Sequence, residues 1–160
     1  MLEELLKKAG WDSPDRVACV VGPGGFTSLR VAVSLVNAIA WAKKIPSAGI
    51  HLSDLCRARC PNRDALWIHS TKKEEVFVRG FGSFLETWPQ PQHMALGDFL
   101  SYLPDSVAWV GELIPEHRTE IDKRGGKPAL VRDLSATLPS FLNQQSYVEE
   151  QLEPWYGRGW

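Results

Sequence analysis

The sequence predicts an α/β protein, and three observations carry that reading. A β-branched run, Val17-Ala18-Cys19-Val20-Val21, passes through Gly22-Pro23-Gly24-Gly25 into a long helical pattern at 28–43. This is the layout of a strand, a crowded turn and a helix packed back on the strand. Up to residue 60 the order is α-β-α-β-α, which favours a small parallel or mixed sheet. Beyond Pro61-Asn62-Arg63-Asp64 the pattern turns to successive strands and then weaker alternating elements, a second α/β unit with a mixed sheet. The expected organisation is therefore 1–60, 61–150 and a tail at 151–160.

Each element has its own signal. Leu2, Leu5, Leu6 and Ala9 share one face of a first helix that Gly10 stops. Thr27 is the expected N-cap of the long helix, with Arg30 free on its first turn. Ile45–Ile50 reads as a short edge-like strand, and Ser53 as the cap of a helix through Cys60 that Pro61 ends. Ala65–His69, Glu75–Phe81 and Phe84–Trp88 read as three strands, the first pair joined by a turn at Thr71-Lys72-Lys73. Val76, Val78 and Phe81 mix with Glu75, Phe77 and Arg79 in the alternation of a half-buried antiparallel strand. A helix at 96–102, a strand at 106–110 and elements near 116–123, 128–131 and 134–145 complete the expected set.

Composition excludes several classes. With 160 residues, 44% apolar and 23% charged, the chain is typical of a globular protein. A formal net charge of −1 gives no global attraction to nucleic acid or anionic lipid. No run reaches the ~18 apolar residues of a membrane span, and the acidic start is unlike a signal peptide. Three cysteines, an odd number without framework spacing, point to a reducing cytoplasm. The seven tryptophans are scattered and read as core filler or interface anchors.

The helix at 29–42 is the least ordinary element. Eleven of its fourteen residues are apolar, and Arg30, Ser34 and Asn37 fall at i, i+4 and i+7 as one narrow polar stripe. A surface helix shows a broad polar face. This helix must be covered on two sides, either within its own domain or by a partner helix, and Ala32, Ala38, Ala40 and Ala42 permit close approach.

No catalytic constellation emerges. Gly22-Pro23-Gly24-Gly25 before Thr27 could cradle a phosphate on backbone N–H groups, or serve only tight strand–helix packing. It lacks a Gly-Lys-Ser/Thr ending, and Pro23 removes a donor. Cys56 and Cys60, with His51 nearby, share a helix face as either two zinc ligands or two reduced thiols. No histidine has a nucleophile pattern beside it, and Glu74 and Glu75 point to opposite faces of a strand. Lys72-Lys73 and the Arg57, Arg59, Arg63 group form small basic patches with only a weak RNA signal. No metal or cofactor is implied.

Val20-Val21-Gly22-Pro23-Gly24-Gly25-Phe26-Thr27-Ser28-Leu29-Arg30 resembles the Gly-Pro-Gly-Ser-Phe-Thr-Gly-Leu-Arg signature of the TsaB (YeaZ) family. Ile45-Pro46, Leu52-Ser53-Asp54-Leu55, Ser70–Phe77, Trp109-Val110-Gly111-Glu112 and Glu153–Arg158 are similar to later family segments, in the family's order. Gly25 stands where the family has Ser, and Ser28 where it has Gly. The resemblance implies an ASKHA (actin, sugar kinase, Hsp70-like) fold whose N-terminal subdomain is shortened, lacking the opening β-hairpin strands and their Asp-Thr-Ser-type loop. It implies a non-catalytic scaffold for tRNA threonylcarbamoyladenosine modification, partnered by a TsaD-type catalytic subunit and a TsaE-type ATPase, with tRNA met indirectly. The expected interface comprises Leu29, Ala32, Val33, Val36, Ala38, Ile39 and Ala40, with Gly22, Pro23, Gly24, Gly25, Thr27 and Arg30 as the loop that presents it. A homodimer through the same surface is also expected, with an exposed sheet edge and no ordinary ATP binding. The alternatives are an independent hydrolase (peptidase or nucleotide hydrolase) and a degenerate paralogue acting as a homo-oligomeric regulator.

Overall fold

The computed structural model describes residues 14–157 together with Glu4, Lys7, Lys8 and Gly10. The expected first helix falls largely outside the described residues. Thirteen elements follow: β1 (Val17–Gly22), α1 (Phe26–Lys43), β2 (Ser47–His51), α2 (Leu52–Arg59), β3 (Ala65–Lys72), β4 (Glu75–Phe81), a 3-10 turn (Gly82–Leu85), β5 (Gln92–Ala95), α3 (Leu96–Tyr102), β6 (Ala108–Val110), α4 (Pro115–Lys123), β7 (Lys127–Pro128) and α5 (Leu134–Asn143).

β1 and β2 pair in parallel, from Val17 opposite Ser47 to Val20 opposite Ile50, with α1 as the crossover. The second sheet is five-stranded and mixed, in the order β5-β4-β3-β6-β7. β3 and β4 form an antiparallel hairpin with Ala65 opposite Phe81, and β3 runs parallel to β6. Its connection is Lys73-Glu74, two residues later than the turn expected at Thr71.

The second sheet is covered on both faces. Leu66, Ile68, Val76 and Val78 join Trp88, Phe99, Trp109 and Ile121 on one side. Ala65, Trp67, Phe77 and Phe81 join Cys60 and Val110 on the other. Successive side chains of a strand alternate faces, so a strand with neighbours on both sides is apolar throughout. β4 is accordingly not the half-buried strand its alternation predicts; Phe77 is buried and in ring contact with Trp155 of the tail.

Three local expectations are corrected. Phe84–Trp88 is not a strand, because Trp88 N–H bonds the Phe84 carbonyl across one turn while Gly80 N–H bonds the Trp88 carbonyl. Helix α2 is capped by His51, whose Nδ1 accepts from Ser53 N–H at 3.1 Å, so Ser53 lies inside the helix, fully buried. Helix α1 starts at Phe26 with Gly25 at the cap position and no side-chain cap bond, so Thr27 belongs to the first turn.

The C-terminal segment closes the structure over the first sheet. Ser47 and Val148 exchange backbone bonds of 2.8 and 2.9 Å, and Trp155 N–H bonds the Val21 carbonyl at 2.8 Å. Asn37 on α1 holds Leu152 through both its amide atoms, donating from Nδ2 to the Leu152 carbonyl and accepting from Leu152 N–H on Oδ1, each at 2.9 Å.

Candidate functional site

Two features stand out, a cleft and an uncovered helix face. The cleft is a cavity of about 590 Å³ between the Pro23-Gly24-Gly25 loop, the end of β3 and the tail. Phe26, Phe77 and Tyr156 supply its aromatic walls. Phe26 and Tyr156 meet with tilted rings, centroids 5.2 Å apart, and the Arg30 guanidinium sits 4.0 Å over the Phe26 ring while Nε donates to the Tyr156 hydroxyl at 3.0 Å. Arg30 is therefore engaged, not free as expected. The volume falls within the ~300–1,000 Å³ of small-molecule sites. Lys72 brings a positive charge, and among the described residues no carboxylate lines the cavity.

The polar groups near the cleft are spent on architecture. Ser70 Oγ lies 2.9 Å from His117 Nδ1 and accepts from Ile114 N–H at 3.0 Å, while His117 Nε2 meets the Lys73 carbonyl at 2.7 Å. With Nε2–H donating to that carbonyl, Nδ1 is the acceptor and the Ser70 hydroxyl donates to it. This is a serine–histidine pair, but His117 is fully buried and clamps α4 to the hairpin. His69 stacks on Trp67 at 5.8 Å, and burial lowers its pKa against the opposing pull of Glu112. His51 sits edge-on to Trp155 at 4.4 Å, and burial depresses its pKa to about 4, partly opposed by Asp54. Arg79 donates to Asp54 at 2.6 Å and to Ser53 Oγ at 2.8 Å.

The other expected groups separate. Glu75 meets His93 at 3.2 Å, while Glu74 lies in the turn. Burial pushes the Cys56 thiol up to about 11, and among the described residues no group of three or more His, Cys, Asp or Glu could hold a metal ion. Arg57 donates to the Asn62 carbonyl at 2.6 Å and Arg59 to the Arg132 carbonyl at 2.9 Å, so two of the three arginines of that basic patch tie backbone together.

Helix α1 divides into three faces. Leu29 and Val33, expected at an interface, are buried on the side that packs on β1. Ala32, Val36, Ile39 and Ala40 are half-buried. Arg30 and Asn37 of the polar stripe grip the tail. Periodicity did not reveal that partner, 115 to 126 residues away; the only trace of it was the resemblance of Glu153–Arg158 to a closing family motif. The uncovered face carries Val31 at 62%, Leu35 at 44% and Trp41 at 82% exposure, with Ala38 between them. These positions fall at i, i+4, i+7 and i+10, one apolar stripe along the helix. Val31, Leu35 and Trp41 were missed because the apolar pattern ran all round the helix. Among the described residues no helix is long and apolar enough to cross a membrane.

Comparison with known proteins places this geometry. No curated protein matches the chain. A solved structure described as an uncharacterized protein with similarity to peptidase YEAZ, from Pseudomonas aeruginosa, superposes with a TM-score of 0.62 at 18% identity, covering 99% of this chain and 81% of that one. YeaZ from Pseudomonas aeruginosa superposes with a TM-score of 0.51 at 16% identity, covering 97% and 80%. The fold is thus YeaZ-like, consistent with the ASKHA class. The model of the family TsaD, tRNA N6-adenosine threonylcarbamoyltransferase, matches residues 1–102, and over that span the chain belongs to this family.

Proposed function

We propose that the chain is a non-catalytic partner subunit in tRNA N6-threonylcarbamoyladenosine modification, docking a TsaD-type catalytic subunit through the open face of α1. The carrying observation is the stripe Val31, Leu35, Ala38 and Trp41, apolar and uncovered on a helix whose other faces pack on β1 or hold the tail. Tryptophan is enriched at the energetic centres of interfaces, and small residues such as alanine let helices approach closely. The family match supports the choice of partner and reaction. The non-catalytic role is favoured because the Ser70–His117 pair at the cleft holds α4 in place, its histidine fully buried.

The test is titration calorimetry with the cognate TsaD-type protein. Trp41→Glu and Ala38→Glu should each weaken binding at least a hundredfold, about 2.7 kcal/mol, with unchanged circular dichroism. Wild-type affinity in both variants would refute the assignment. Carbamoyl transfer or ATP turnover by the isolated chain would refute the non-catalytic role. A TsaE-type ATPase joins the same assembly in this reading, and co-purification with both proteins checks it.

A further inference from the structure

β7 ends the five-stranded sheet and pairs with β6. The N–H groups of Lys127 and Ala129 bond the Val107 and Trp109 carbonyls at 2.8 and 2.7 Å, so these residues turn their backbone groups toward β6. Pro128 and Leu130 turn theirs outward, and among the described residues nothing bonds the Pro128 carbonyl or the Leu130 N–H. The chain beyond is exposed yet tied down. Leu130, Val131 and Leu134 are 88%, 46% and 40% exposed. Arg132 N–H bonds the Arg59 carbonyl at 2.8 Å, and Arg59 Nε donates back to the Arg132 carbonyl at 2.9 Å. Leu130 and Val131 therefore stand in water on a strap fixed at Ala129 and Arg132. The charge there is one-sided. Lys127 and Arg132 form no ion pair among the described residues. Asp133, the one carboxylate in 127–134, caps α5 through the Ser135 and Ala136 N–H groups.

We propose that this edge takes an extended, acidic segment of a partner protein as a sixth strand. One residue of a parallel strand opposite Ala129 supplies both missing partners, an N–H for the Pro128 carbonyl and a C=O for the Leu130 N–H. It asks nothing of the N–H that Pro128 lacks. Apolar side chains of the segment cover Leu130 and Val131, and its carboxylates meet Lys127 and Arg132. In strand addition the main-chain bonds give affinity and alternate side chains give specificity. The backbone decides between occupants: a lipid surface would use the apolar groups and the cations but not the Leu130 N–H, and RNA would leave Leu130 in water. The site lies on the other sheet from α1, so it stands apart from the docking face proposed above.

The probe is the synthetic peptide acetyl-Glu-Val-Glu-Val-Glu-Val-Glu-amide, titrated into the full chain and followed by amide NMR. Shifts should concentrate at 127–134 and on β6, and the Leu130 N–H should exchange more slowly. The same peptide N-methylated throughout keeps its side chains but has no donor, and should bind at least about fivefold more weakly, one hydrogen bond's worth. The counterpart with lysine for glutamate should not bind. Arg132→Glu and Leu130→Asp, both at exposed positions, should each weaken binding about tenfold or more with unchanged circular dichroism. Trp41→Glu should bind the peptide like wild type, so failure here and failure of the α1 assignment are separate results. Vesicles of phosphatidylcholine and phosphatidylserine should not sediment the chain. Absence of shifts at millimolar peptide, equal affinity for the lysine or N-methylated peptide, wild-type binding by Arg132→Glu, or vesicle binding that Leu130→Asp abolishes would each overturn the proposal, the last by assigning the patch to lipid.

Discussion

Asn37→Ala should loosen the C-terminal segment far more than a change on a half-exposed helix usually does. The side chain makes two bonds of 2.9 Å to the backbone of Leu152, one as donor and one as acceptor. Each is worth about 1 kcal/mol net, and each backbone partner left without one while still half-buried costs a further fraction of the 1–3 kcal/mol desolvation penalty. The sum is about 2–3 kcal/mol. In a chain of this length, 1 kcal/mol moves Tm by about 2–4 °C, so thermal melting should fall by roughly 4–12 °C. Hydrogen exchange localises the effect: amides of 148–157 and Ile45–His51 should exchange faster, while those of β3 and β4 stay protected. Asn37→Asp keeps the acceptor for Leu152 N–H but sets a carboxylate against the Leu152 carbonyl, and should fall at least as far. An unchanged Tm together with unchanged exchange at 148–157 would show that Trp155, Val148 and Arg30 hold the tail without Asn37, and would refute the role given to Asn37.

Three further outcomes follow from the same geometry. His51 stays neutral in the fold down to about pH 4 while the unfolded chain takes its proton near 6.5, so stability is full above 6.5, falls as pH drops from 6.5 to 4, and levels below. Full burial would make that drop about 3 kcal/mol; a half-buried, partly solvated ring brings it to about 1–2 kcal/mol, and urea melts at pH 7 and pH 4.5 should show a smaller drop in His51→Asn than in wild type, the remainder coming from His69, whose pKa burial also lowers. Gly80→Ala places a methyl against the Phe84 carbonyl and should cost about 3 kcal/mol by overpacking, read as a lower urea midpoint at unchanged m. Val31→Ser, on the open face, should shift stability by less than about 0.5 kcal/mol, so a larger loss by the same measurement would mean that the stripe is already covered within the chain.

Much of the fold was legible because it is written in local pattern. β1, α1 and α3 lie where the local pattern puts them, and elements are found near 116–123 and 134–145, where the sequence marked weaker ones. The errors share a cause. Phe84, Leu85 and Trp88 are apolar enough for a strand, but a left-handed Gly82 and the i, i+4 bond to Trp88 curl them into a turn. His51 takes the cap that Ser53 seemed built for, because Ser53 is needed one layer deeper, under Arg79. The cleft was invisible for a plainer reason. Its walls come from Phe26, Phe77 and Tyr156, three segments that no local rule connects.

The two sheets do not carry equal responsibility for order. β3 and β4 are buried on both faces and would lose about 3–5 kcal/mol for a single large-to-small change at Trp67 or Phe77. β1 is half-exposed along Val17–Val21, and a two-stranded sheet is marginal by itself. What holds the first sheet is α1 beneath its own tail: Asn37 and Arg30 grip residues 152 and 156, and that grip leaves the stripe Val31, Leu35, Ala38 and Trp41 as the helix's outward face. A partner reading that face therefore reads a helix whose placement depends on the tail, through contacts the partner never touches. Binding and tail docking are thermodynamically linked for that reason: a variant such as Asn37→Ala weakens an α1 partner without lying on its surface, and a bound partner returns protection to residues 148–157 by the same factor.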